Sequence, residues 1–166
     1  KMDDAVTYTY AGTTTVEGGT FILNVEPEGT FTRTVSVANG ATFTKKGKGT
    51  LKLGSALSDA GTYEVTEGII DTGNNANGNF GGTWKIGASG TLTNSGSGHY
   101  HSIGTGEVIV DGLLELDPST ADSHLTGAIS GAGRIHVKKS ASIEGDTADF
   151  TGTLEVDAGA TLASLN

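Results

Sequence analysis

The side chains able to do chemistry are sparse in this chain, and no complete catalytic set can be assembled from them. His99-Tyr100-His101 puts two imidazoles at i and i+2, on one side of an extended segment, while His124 and His136 lie elsewhere. A metal centre needs three or four converging ligands, so the pair reads as an exposed turn and no metal is expected. The stretch Asp71-Thr72-Gly73-Asn74-Asn75-Ala76-Asn77-Gly78-Asn79 superficially matches a calcium loop. It fails because no phase of the Asp-x-Asn-x-Asn-Gly pattern also supplies a bidentate Glu six residues past its Gly. Acid/base handling of a uronate sugar calls for clustered Asp with Arg or Lys. Arg33 and Arg134 stand alone, the run Arg134-Ile135-His136-Val137-Lys138 has no Asp-Asp pair beside it, and Asp3-Asp4 sits at the terminus. There is no Gly-x-Ser-x-Gly elbow with plausible partners, and without cysteine there is no thiol nucleophile. We therefore expect no enzyme and no cofactor.

Binding is the chemistry left. Phe21, Phe43, Tyr63 and Trp84 recur about 21 residues apart. They read first as an internal stack of rings, and second as an outward platform for sugars. If any residues contact a ligand, the candidates are Trp84 and Tyr100 for their rings and Asn74, Asn75 and Asn77 for their amides. The Asn-rich segment from Asp71 to Gly82, and Asp117 to Ser123, which carries the second proline, are expected to protrude as loops, where function concentrates.

The formal charge is −9 over 166 residues, with ten Lys and Arg scattered rather than striped. That balance disfavours phosphate backbones, so nucleic acid is not an expected partner. Lys45-Lys46-Gly47-Lys48 reads as a solvated turn. No stretch approaches the roughly 20 apolar residues that span a bilayer, so direct membrane insertion is not expected, and no signal segment stands at the N-terminus. The absence of cysteine suits either the cytosol or a chain secreted unfolded through a periplasm.

What must position these residues is written in two glycine ladders. One runs Gly19, Gly40, Gly61, Gly82, Gly106, Gly127; the other runs Gly29, Gly49, Gly68, Gly90, Gly112, Gly133, Gly152. An apolar residue follows each glycine by two or three places. Units this short cannot bury their own apolar face, so copies must stack. Short alternating segments such as Thr50-Leu51-Lys52-Leu53, Leu114-Glu115-Leu116 and Arg134-Ile135-His136-Val137 read as strands wet on one side. No window carries a capped 3.6-residue stripe, so no long helix is expected. The glycines are expected at φ > 0 corners between strands. The expected fold is an all-β, right-handed parallel β-helix in one domain, residues 1–166, of roughly eight coils. At about 4.8 Å per coil it is a rod about 35 to 40 Å long.

Residues Gly133 to Leu162 resemble the autotransporter-associated β-strand repeat of secreted passenger domains in Gram-negative bacteria. The matching parts are Gly133-Arg134-Ile135-His136-Val137, then Asp149-Phe150-Thr151-Gly152-Thr153-Leu154-Glu155-Val156, then Ala158-Gly159-Ala160-Thr161-Leu162. A poorer copy, Gly49 to Ile70, lacks the Asn-Thr-Tyr-x-Gly core usual there. The resemblance implies a β-helix on, or released from, a bacterial cell surface. It implies a rigid, protease-resistant stalk that acts in adhesion or self-association, with a host or neighbouring-cell protein or glycan as partner. The alternative is a carbohydrate-binding or carbohydrate-processing β-helix. The chain is expected to be an excerpt whose parent continues into further coils and a membrane-anchoring barrel.

Overall fold

The computed structural model describes residues 6–27, 29–96, 103–119 and 123–163. Among these every regular element is a strand: β1 Val6–Val16, β2 Thr20–Asn24, β3 Gly29–Val37, β4 Thr42–Lys46, β5 Thr50–Leu53, β6 Thr62–Asp71, β7 Thr83–Thr93, β8 Glu107–Val110, β9 Leu113–Leu116, β10 Ser123–Leu125, β11 Ile129–Ser130, β12 Arg134–Val137, β13 Ala141–Ile143, β14 Thr153–Val156 and β15 Leu162–Ala163. All pairings between them are parallel. The chain is a β-solenoid of about 7 turns, with successive coils ~21 residues apart. The longest stack, β1-β3-β5-β6-β7-β9-β12-β14, has eight strands and hence one fewer turn between its ends.

Each glycine ladder marks one wall. On the first, Phe21, Phe43, Tyr63, Trp84, Val108 and Ile129 lie in register across β2, β4, β6, β7, β8 and β11. On the second, Phe31, Leu51, Ile70, Leu92, Leu114, Ile135 and Leu154 do the same. β6 and β7 are long because they bend across both walls, their pairing shifting register between Val65 and Glu67. A third wall is stranded near both ends, where Thr13 to Val16 pairs with Thr34 to Val37 and where β10, β13 and β15 form a separate sheet. Period-2 alternation sends every second side chain inward. Phe43, Leu51, Tyr63, Ile70, Trp84, Leu92, Leu114 and Val137 are all essentially inaccessible. Each buried aliphatic contributes about 1.5–3 kcal/mol. A thin apolar fraction therefore suffices, because one or two residues per strand fill the narrow interior.

Most ladder glycines are needed for a reason other than the expected corners. Only Gly19, Gly40 and Gly68 among them have positive φ. The others, Gly29 apart, sit where a coil passes directly over its predecessor. A Cβ at Gly82 would fall on the carbonyl oxygen of Gly61, one at Gly106 on that of Gly82, and one at Gly127 on that of Gly106. Gly145, absent from the ladder as read in sequence, continues the file onto Gly127. The ladder is a column of close backbone approach.

The expected protrusion at Asp71 to Gly82 is also corrected. Thr72, Asn77 and Phe80 are buried, and the segment lies against the preceding coil. On this part of the third wall, side-chain amides replace the strand ladder.

Candidate functional site

Trp84, proposed from sequence as a ligand-contacting ring, is fully buried. Its centroid lies 5.2 Å from that of Tyr63 and 5.3 Å from that of Phe80, and its Nε1–H donates to the carbonyl of Ile103 at 2.7 Å. An indole closed in this way cannot stack on a sugar. The ring column is internal from Phe43 to Trp84, with a Phe43–Tyr63 contact at 6.0 Å, whereas Phe21, which stacks on Phe43 at 5.8 Å, is exposed. Phe80 meets Tyr63 edge-on at 82°, a contact the sequence reading missed because Phe80 lies off the 21-residue period.

The asparagines divide. Asn77 is buried, and its Oδ1 accepts the Leu57 amide at 2.7 Å. Asn75 Nδ2 donates to the carbonyls of Leu53 and Thr72 at 2.9 and 2.8 Å. Both side chains bind backbone, which is what an irregular wall needs when strand pairing is missing. Asn77 is thereby removed from ligand contact, whereas Asn74 remains exposed. Tyr100, with His99 and His101, lies outside the described residues. Asp71 heads the same segment and does not look outward as a cation ligand would. Its carboxylate accepts from the Gly73 amide and Ser95 Oγ and faces Lys52 Nζ at 3.7 Å.

Lys45 overturns the reading of its cluster as a solvated turn. Its side chain is buried, in register with Leu23 and Val65 on the inward row. Nζ donates to the backbone carbonyls of Gly47, Gly49 and Glu67. Burial draws the ammonium down to about 8, opposed by the charge of Glu67. Lys46 and Lys48 are exposed, as expected. The alternating pattern Phe43-x-Lys45 was the available signal, since Lys45 has the parity of the core residues.

Among the described residues, the richest file of polar groups is the row of the second wall that alternates with its apolar file, open to water at Lys52 and Glu155 and closed over at Asp71 and Thr93. Register places Thr32, Lys52, Asp71, Thr93, Glu115, His136 and Glu155 in one file. Ion pairs lie along and beside it: Lys138 Nζ lies 3.1 Å from Asp117 and 3.7 Å from Glu115, which hold its proton above the ordinary lysine range. Such a face can offer hydrogen bonds and ion pairs along a line. A cavity of about 190 Å³ lined by Ile135, Ile143, Thr147, Phe150, Gly152 and Leu154 lies within the last coils. Its walls carry no pair of acid and base. No family model, no curated protein and no solved structure matches the chain.

Proposed function

We propose that the chain is a rigid β-helical stalk segment of a secreted, surface-exposed bacterial autotransporter-like protein, non-enzymatic, acting in adhesion or self-association. The observation that carries this reading is the long parallel stack of coils, with an apolar interior and polar files along its walls. A structure of this kind transmits length and stiffness and binds along a surface. The repeat that resembles autotransporter passengers, Gly133 to Leu162, supports the assignment by spanning β12 to β15, with Gly133 and Gly152 stacked on the preceding coil and Ile135 in register with Leu154. The partner would be a host or neighbouring-cell protein, a glycan, or another copy.

The test is to display the chain on a non-adherent Gram-negative cell and measure sedimentation and attachment, with a glycan array run on the soluble chain. Clumping or attachment, reduced by charge reversal at Lys52 and Lys138, is the expected result. Specific glycan hits lost on replacing Tyr100 would favour the carbohydrate-binding alternative. Polysaccharide turnover, or the absence of both clumping and attachment, would sink the stalk-adhesin reading.

A further inference from the structure

Glu155 on β14 and Asp157 just beyond it are at i and i+2, so their carboxylates leave the same side of an extended strand. β12 lies alongside in parallel register, with His136 opposite Glu155. Stacking thus sets one imidazole against a pair of carboxylates that are separated by 19 and 21 residues in sequence, a convergence that a linear search for ligand spacing does not find. His136 Nε2 lies 2.8 Å from Asp157 Oδ1 and 4.0 Å from Glu155 Oε1. All three ligand atoms fall within 4.8 Å of one another. Glu155 Oε2 is engaged by Arg134 Nη1 at 3.0 Å, which leaves Oε1 to face the imidazole. The imidazole is largely covered, at 16% exposure, while Glu155 and Asp157 remain open to water at 47% and 44%.

We propose that His136, Glu155 and Asp157 bind a divalent transition-metal ion, zinc foremost, as a one-nitrogen, two-oxygen set completed by water. Ions of this class sit about 2.0–2.2 Å from such ligands, which requires ligand atoms roughly 3–3.5 Å apart. The two measured separations bracket that range, and exposed carboxylates reach it by side-chain rotation alone. Neutral imidazole selects zinc over magnesium or calcium, which favour all-oxygen shells. The ion replaces the Nε2···Oδ1 hydrogen bond and clips β14 to β12, so binding stabilises the last coils by mass action.

The experiment is calorimetric titration of the chain with zinc chloride, with magnesium chloride in parallel, alongside thermal melts with and without zinc. Wild type should bind one zinc per chain, ignore magnesium, and melt higher when loaded. His136→Gln and Asp157→Asn should each weaken binding at least tenfold and lose the zinc-dependent rise in Tm, while melting like wild type in chelator. The His124–Glu144 pair offers a single imidazole and a single carboxylate at 2.7 Å, so His124→Gln should leave the titration unchanged. Wild type that takes up no zinc at millimolar concentration overturns the proposal. So does affinity indifferent to both substitutions, or binding abolished by replacing His99 and His101.

Discussion

At the residue scale, three buried side chains with polar groups, Trp84, Lys45 and Tyr63, define what the interior tolerates. Trp84 is sealed among Tyr63, Phe80 and the Ile103 carbonyl. Its fluorescence should be blue-shifted and resistant to iodide, and Trp84→Ala should cost about 3–5 kcal/mol in denaturant unfolding. Ready quenching would place the ring outside. Lys45 makes a pH prediction whose sign follows from burial. Its native ammonium titrates at about 8 against an ordinary 10.5. Between those values the unfolded chain binds the proton that the native chain has shed, so stability rises with pH across that window. Tyr63 acts oppositely at the upper end. Burial, then the hydrogen bond from its hydroxyl to Asp59 and the charge of that carboxylate, push its phenol up from 10.0. Above about pH 10 the unfolded chain ionises first and stability falls. Unfolding free energies measured from pH 7 to 11 should therefore climb and then drop. Lys45→Met should remove the climb, and at pH 7 should cost about 1–3 kcal/mol because three carbonyls lose their shared donor. A flat profile in the wild type would show that Lys45 is not sequestered.

At the element scale, strands hold their places through two rows with different demands, an apolar row that must fill space and a glycine row that must leave it empty. Leu114 lies inaccessible between Leu92 and Ile135 on the neighbouring coils. Leu114→Asp puts an unpaired charge in that file and should cost several kcal/mol, about 4 or more. A variant melting like wild type would refute the register. Gly127→Ala tests the second row, since its methyl would fall on the Gly106 carbonyl and force two coils apart. Gly18, with open space around an added Cβ and no positive φ, is the matched control. Gly18→Ala should stay within about 0.5 kcal/mol of wild type, while Gly127→Ala should lower the thermal midpoint by many degrees. Equal midpoints would mean that the glycine file is not under steric constraint.

At the scale of the whole molecule, stability is a sum over neighbouring coils. Two residues of the inward rows are exposed toward the ends of the described stack, Phe21 at 41% and Val156 at 42%, while their in-register neighbours Phe43 and Val137 are buried. Deleting residues 138–166 removes β14, one of the two partner strands of β12, and should lower the denaturant midpoint distinctly while leaving Trp84 buried and blue-shifted. An unchanged midpoint, or loss of the Trp84 environment, would show that the coils do not contribute as neighbours.

Much of this architecture is determined by the sequence itself, because a periodic chain encodes its own contacts. With a period near 21 and parity of two along each strand, residue i must meet its counterpart one coil away, and so the all-β class, the ring column and the apolar file from Leu51 to Leu154 can be written down from spacing alone. What lies off the period was not legible. Phe80, Asn75 and Asn77 belong to an irregular segment whose side chains bind the adjacent coil, and their number in the chain carries no sign of it. Lys45 has the parity of a core residue but the chemistry of a surface one, and three converging carbonyls decide between them. The glycines announce their ladder in sequence, yet whether each serves a left-handed corner or a close approach depends on where the carbonyl beneath it falls. His136, Glu155 and Asp157 meet only because two coils stack in a particular register. That register is a property of packed tertiary structure, set by how all the inward side chains fill the interior together.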